Sequence, residues 1–301
     1  MSTARAPTRY ALRHVTAYRY ATAVDLATHM LHLTPRDLPG QAVEGYTLQV
    51  SPAPAYRTDG TDHFGNGVDF LSIEAPHASF EVVLDAVLSV GFAAPPAAAD
   101  TLPWEAVRDA VASVAGVEAA EFSLPSALAP ADAGAGAYAA QSFPPRRPVL
   151  AGLLDLTARI RRDFAFRPGV TTISTPVSQV MSQRAGVCQD FAHAMIAGLR
   201  SLGLPARYCS GYVRTRPPPG QKRRQGADQS HAWVGCWLGP GFGWVDLDPT
   251  NDLVVRDEHV LLGWGRDYAD ISPVTGILLG GGKQALDVSV DLVEAGDATP
   301  P

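Results

Sequence analysis

The sequence predicts an α+β protein in which an antiparallel β-rich N-terminal domain precedes a mixed domain of helices followed by strands. Two observations predict it. From Thr8 to about Phe92 short alternating or β-branched segments are separated by turn signals such as "RDLPGQ", "TDGTDHFGNG" and "EAPHA". From Val149 onward the apolar spacing becomes helical, and then returns to alternation in "SHAWVGCWLGPGFGWVDLDPTND".

In the first part, "TLQVSP" and "VDFLSI" are expected strands, and "SFEVVLDAVLSVGF" alternates well enough to be a long one. The Pro/Ala stretch "AAPPAAADTLP" then marks a boundary, and Pro103 suits the first turn of a short helix, "PWEAVRDAVASVAG". The segment "LPSALAPADAGAGAYAAQSFPPRRPV" has no sustained period, so it is either irregular or made of short helical pieces. Leu150, Leu153, Leu154, Leu156 and Ile160 mark one broad helical face that stops before Pro168 and Gly169. The expected division is 1–100 as the β-rich domain, 101–148 as a linker with short helical pieces, 149–293 as the core domain and 294–301 as a polar tail. No solenoid-type repeat is visible.

Composition limits the function. With 301 residues, of which 46% are apolar, the chain can bury a sizeable core. A net charge of -6 gives no global attraction to nucleic acid or to an anionic membrane, so neither is an expected partner. Three cysteines, Cys188, Cys209 and Cys236, are too few and of the wrong parity for a disulfide framework. The opening "MSTARAPTRYALRHVTAYRY" lacks the continuous apolar segment of a secretory signal, and the expectation is a soluble, cytoplasmic protein.

The chemistry concentrates in "AGVCQDFAHAMIAGLRSLGLPARYCSGY". Cys188, Phe191, Ala192, Met195, Leu199 and Leu202 recur at three- and four-residue steps, so a helix starts near Gly186 or Val187 and ends at Gly203 and Pro205. Cys188 thus sits at the positive end of the helix dipole, which favours thiolate. Gly186 leaves room for a substrate backbone to approach. Taken alone, a free cysteine is most often a small buried hydrophobe. What shifts the balance is downstream, because a cysteine nucleophile needs a base and a group to orient that base. On one expected strand His231, Trp233, Gly235 and Trp237 share a face, and on the next Trp244, Asp246 and Asp248 do. Spacing alone does not choose between Asp246 and Asp248.

The stretches "GVCQDFAHAMIAGLRSLGLPARYCSGY", "SHAWV" and "GWVDLDPTN" together resemble the core of the transglutaminase-like superfamily of papain-like thiol enzymes, in the order Cys, His, Asp. Upstream, "HVTAYRY", "HLTPRDLPGQ" and "DHFGNGV" resemble the β-rich N-terminal region of bacterial members. The resemblance implies a Cys-bearing helix packed on an antiparallel sheet that carries the His and Asp. It implies Cys188 as nucleophile, His231 as general base and acid, and Asp248 as the orienting carboxylate, since the family's acid stands in an Asp-x-Thr context. Asp246 is then a carboxylate of the strand end or of the layer behind. Residue 189 is Gln where the animal crosslinking enzymes carry Trp, which favours hydrolysis over protein crosslinking. The implied substrate is a peptide or protein amide, no cofactor is implied, and a functional link to peptide-ligase-like (ATP-grasp) proteins is suggested by the resemblance. A binding or scaffold protein that keeps the fold without using the thiol is the competing reading, since fold does not establish function.

The remaining marked residues receive plainer readings. Gly186, Gln189, Asp190, Trp233, Asp246 and Tyr268 are the cleft candidates; Asp190 also suits the helix dipole, and Tyr268 lies in "GWGRDYADISP", a stretch that resembles one following the triad in bacterial members. Arg214, Arg216, Lys222, Arg223 and Arg224 lie in a Pro-rich loop that runs into His231, and would draw an acidic substrate to the cleft. His193 with the cysteines raises the question of zinc, but there is no Cys-x-x-Cys pair or paired-histidine helix motif, so no metal is expected. "LLGGGKQ" lacks the spacing of a phosphate loop, and its glycines read as a turn or bulge before the strand "ALDVSVDLVE".

Overall fold

The computed structural model describes residues 6–215 and 229–295. Its first layer is a sheet built around one strand, β1 (Thr8–Leu31). With β2 (Gln41–Ser51), β3 (Tyr56–Thr61), β4 (Gly67–Ile73) and β5 (His77–Val90) it gives the order β2-β5-β1-β4-β3. Alternation along β5 puts Phe80, Val82, Leu84, Ala86, Leu88 and Val90 inside.

After β5 the chain forms α1 (Trp104–Ala110), α2 (Val117–Ala120), α3 (Ala133–Ala140) and α4 (Val149–Asp163). The stretch expected as a linker is packed: Val107, Phe122, Ala135, Tyr138 and Phe143 belong to the same core as Leu150, Leu153 and Ile160. The helix expected after Pro103 is α1, whereas α3 is hard to see in the sequence because it is built mostly from Ala and Gly, which carry no apolar period. Those small residues have a use, since a Cβ on Gly198 of the cysteine helix would lie 2.9 Å from that of Ala139 and 3.0 Å from the Ala135 carbonyl.

The cysteine helix, α6 (Cys188–Ser201), follows β6 (Ala165–Phe166), α5 (Val177–Gln183) and β7 (Ala185–Gly186). One buried face was expected; instead every residue from Asp190 to Arg200 is buried, because α6 has α3, α4 and α5 around it and a sheet beneath. Even Arg200 is inside, donating to the carbonyls of Phe122, Ala206 and Arg266 and to the Ser126 hydroxyl.

The sheet beneath runs β11-β10-β9-β8-β12, formed by β8 (Ala206–Val213), β9 (Gln229–Trp237), β10 (Trp244–Asp248), β11 (Leu253–Val254) and β12 (His259–Gly265). The last strands, β13 (Val274–Gly280) and β14 (Gln284–Glu294), leave this unit and pair antiparallel with β1. The segment 149–293 therefore ends within the N-terminal sheet rather than in the core. Gly280, Gly281 and Gly282 have φ of 99°, 84° and 62°, and carry the chain past the point where the β1 register against β13 also shifts. The glycines expected as a turn or bulge thus join two halves of one long partner of β1.

The two sheets pack directly. Tyr212, Val260 and Leu262 of the second sheet share a core with Leu12, Phe80, Leu84, Val290 and Leu292 of the first. The motif "HLTPRDLPGQ" supplies part of the polar joint: the Gln41 side chain both donates to the Leu261 carbonyl (2.8 Å) and accepts from its N–H (2.8 Å). From "DHFGNG", Asn66 pairs in the same way with the Trp264 backbone, and Arg36 lies 3.6 Å over the Trp264 ring. No helix among the described residues is long and apolar enough to cross a membrane.

Candidate active site

Cys188 opens α6. The first intrahelical bond runs from the Phe191 N–H to the Val187 carbonyl (3.1 Å), so the Cys188 N–H lies ahead of the helical ladder. Asp190 reaches back to accept from the Val187 N–H (2.7 Å) and also accepts from the Thr171 hydroxyl (2.7 Å). Gly186 is explained by this carboxylate, since a Cβ there would stand 2.6 Å from Asp190 Oδ2. Gly186 makes room for a helix cap, not for a substrate, and Asp190 is part of the support behind the cleft.

His231 lies on β9, opposite Gly211 of β8, and is buried. Its Nε2 is 2.8 Å from Asp248 Oδ2, and Cys188 is a further hydrogen-bonding partner of the ring. Burial opposes a positive charge on this ring, but the hydrogen bonds and charges of Asp248 and Cys188 outweigh it and raise its pKa from 6.5 to about 10. Asp248 is fully buried at the end of β10. Burial disfavours its charge too, yet donors from His231 and His259 hold it well below the usual carboxylate range. Its Oδ1 accepts from the N–H groups of Thr250 (2.9 Å) and Asn251 (3.2 Å), and its Oδ2 from the Asn251 amide (2.7 Å).

Asp246, left open with Asp248 by spacing, holds other partners. It accepts from Trp233 Nε1 (3.0 Å), pairs with Arg207 (3.5 Å) and receives the Cys209 thiol (3.7 Å). Trp233 itself is fully buried and stacks behind His231 at 6.3 Å between ring centroids. Neither Trp233 nor Asp246 lines the cleft: they lie farther along the sheet face that carries His231, where Arg207 pairs with Asp246 and stands 3.8 Å over the Trp264 ring.

The cleft is a cavity of about 530 Å³ lined in part by Cys188, Gln189, His231 and Tyr268. His193 lies behind it, buried, accepting from the Tyr268 N–H (3.2 Å), and burial lowers its pKa to about 4. Of the basic residues expected to draw an acidic substrate, Arg216, Lys222, Arg223 and Arg224 fall outside the described residues, and Arg214 pairs with Glu294.

Two features were not found from sequence. His259, on β12, donates its Nε2 to the same Asp248 oxygen (3.0 Å) and stands edge-on to Trp233. Among the described residues, His231, Asp248 and His259 form the one group spaced to hold a metal ion, and in this structure the Nε2 atoms of both histidines hydrogen-bond Asp248 Oδ2. The other feature is the far wall of the cleft, which comes from β1 and β14: His14, Thr16 and Tyr18, with Leu286, Val288 and Val290 across from them. A signal for it existed, because "RHVTAY" places His14, Thr16 and Tyr18 on one strand face.

Residues 10–89 match the model of the bacterial transglutaminase-like N-terminal region, and residues 138–249 that of the transglutaminase-like superfamily. An uncharacterized protein of Mycobacterium tuberculosis is 42% identical over 300 residues, covering 96% of this chain and 94% of its own length. A protein-glutamine gamma-glutamyltransferase of Pseudomonas aeruginosa is 32% identical over 106 residues, which is 33% of this chain and 16% of that protein. The crystal structure of a candidate cysteine protease from Cytophaga hutchinsonii is similar in fold, with a TM-score of 0.76 over 99% of this chain and 94% of its own, at 20% identity.

Proposed function

From a chain that belongs to the transglutaminase-like superfamily, we propose a thiol enzyme that breaks an amide or isopeptide bond through a thioester on Cys188, with hydrolysis favoured over transfer to an amine. The observation that carries this reading is the single ring of His231, which has both Cys188 and Asp248 as partners and lines one cavity with Cys188.

In this reading the Cys188 sulfur attacks the amide carbonyl carbon, and the oxygen that becomes negative meets the Cys188 N–H at the helix start. His231, held protonated across neutral pH, gives its proton to the leaving nitrogen as the C–N bond breaks. Water then adds to the thioester carbon, losing a proton to His231, and the C–S bond breaks to release the acid and the thiol. Asp248 fixes the ring and balances its charge. Gln189 lines the cleft at the position where the animal enzymes carry Trp, which supports water as the acceptor. The Pseudomonas aeruginosa relative's name supports an amine acceptor as the alternative.

The test is turnover of a library of peptides and glutamine amides by the wild-type and Cys188→Ala proteins, with and without an added primary amine. We expect release of acid in the wild type and a loss of at least about a thousandfold in Cys188→Ala. Turnover retained by a folded Cys188→Ala protein removes Cys188 from the mechanism. Amine incorporation exceeding hydrolysis shifts the assignment to transamidation.

A further inference from the structure

We propose that the β1–β14 face of the N-terminal sheet is the specificity wall of the cleft, and that it selects an acyl donor with an uncharged, apolar group beside the scissile amide. The inference rests on the thiol-enzyme reading above and adds the class of substrate.

Cys188 and the β14 residues Leu286 and Val288 border one continuous cavity of about 530 Å³, more room than a bare amide fills. In the β1–β14 register Leu286 is opposite Tyr18, Val288 opposite Thr16 and Val290 opposite His14, so these side chains rise from one face. The described lining contains no Asp, Glu, Lys or Arg. Several of its polar groups are already engaged: His14 hydrogen-bonds Tyr212 through Nδ1 and Thr16 through Nε2 (2.8 Å), and the Tyr268 hydroxyl accepts from Ser272 (3.3 Å).

The β14 side of the wall is apolar. Leu286 and Val288 are 56% and 45% exposed, although they stand at a cleft rather than on a convex surface. Apolar side chains left bare beside a reactive thiol are explained by a ligand that covers them. Tyr18 and Val274 continue the trough into an adjoining cavity of about 210 Å³, so an occupant longer than one residue is accommodated. An acidic donor would place a carboxylate against this wall without a cation among the described lining residues.

The test uses three reagents on the full chain: iodoacetamide, its N-hexyl derivative and its N-(5-carboxypentyl) derivative. In each the Cys188 sulfur forms a bond to the methylene carbon as the carbon–iodine bond breaks and iodide leaves. Labelling is followed by peptide mass mapping, and each rate is divided by that of iodoacetamide in the same protein. We expect the hexyl reagent to react on the order of tenfold faster than iodoacetamide and to saturate, with the carboxypentyl reagent slower than the hexyl one. In Leu286→Asp/Val288→Asp the hexyl preference should fall to about one, as expected when the apolar surface it covers is lost.

A hexyl ratio near one in the wild type, or a faster carboxypentyl reagent, overturns the proposal. So does a wild-type mass of two chains in solution that reverts to one in the double variant, since a second copy then covers the wall. The enzyme reading is judged separately: if labelling by iodoacetamide itself is indifferent to His231→Ala, it is the thiol–imidazole pair that fails.

Discussion

Asp248 illustrates how a single side chain can be over-determined. It is fully buried and takes donors from His231, His259, Asn251 and two backbone N–H groups, so both oxygens are committed to acceptance. An Asn at this position would turn an NH2 toward donors and leave His231 without its counter-charge. We expect Asp248→Asn to lower stability by roughly 3–5 kcal/mol, the range for breaking a buried charge pair, measured as the urea midpoint. Asp246→Asn should keep the dependence of Cys188 alkylation on His231, because Asp246 serves Trp233 and Arg207 instead. Loss of that dependence in Asp246→Asn would mean that the two carboxylates act as one unit. Spacing offered both residues on one strand face and only the Asp-x-Thr resemblance ranked them, since their physical difference lies in the turn after Asp248 folding its N–H groups back onto the carboxylate. His259 was illegible for a related reason: it comes from the opposite side of β8, and only the strand order brings it to the same oxygen.

At the scale of elements, β8 is held closely between its neighbours. Gly211 pairs with His231 on β9, and a Cβ on it would lie 1.9 Å from the Val260 carbonyl oxygen and 2.7 Å from the Trp233 ring. Gly211→Ala is therefore expected to cost about 1–3 kcal/mol through overpacking and to weaken the His231 dependence of Cys188 alkylation, as the strand carrying the imidazole shifts. Thermal melts together with the alkylation assay check it, and an unchanged melting temperature would show that β12 yields freely. The elements with a clear period were legible in the sequence: the β-rich region, the helix from Val149 and the cysteine helix. Those without one were not, and α3 shows why, because its Ala and Gly residues act through close approach to Gly198 rather than through an apolar stripe. The burial of α6 on all sides was likewise hidden, since a polar residue such as Arg200 reads as surface until the carbonyls that satisfy it are in place.

Across the whole molecule, buried histidines of opposite tendency set the dependence of stability on pH. Burial lowers His14 and His193 to about 4, so each stabilises the fold above 6.5, and that contribution is lost as pH falls through about 4. Asp248, also depressed, acts in the same direction further into acid. His231 has the reverse sign: raised to about 10, its contribution is full below 6.5 and lost as pH rises through about 10. Urea midpoints should therefore pass through a maximum near neutral pH, and His231→Gln should flatten the alkaline limb while leaving the acid one. An alkaline limb of the same slope in His231→Gln would show that other groups produce it.

The pairing of β1 with β13 and β14 also has a consequence for biosynthesis. A ribosome releases β1 well before β13 and β14, and at about 5–20 residues per second the interval is roughly 10–50 s. Throughout it one edge of β1 waits, and the thiol-bearing helix emerges before the wall that faces it. The nascent chain thus carries the Cys188 thiol without a closed cleft, and acquires the full cleft only when β14 docks.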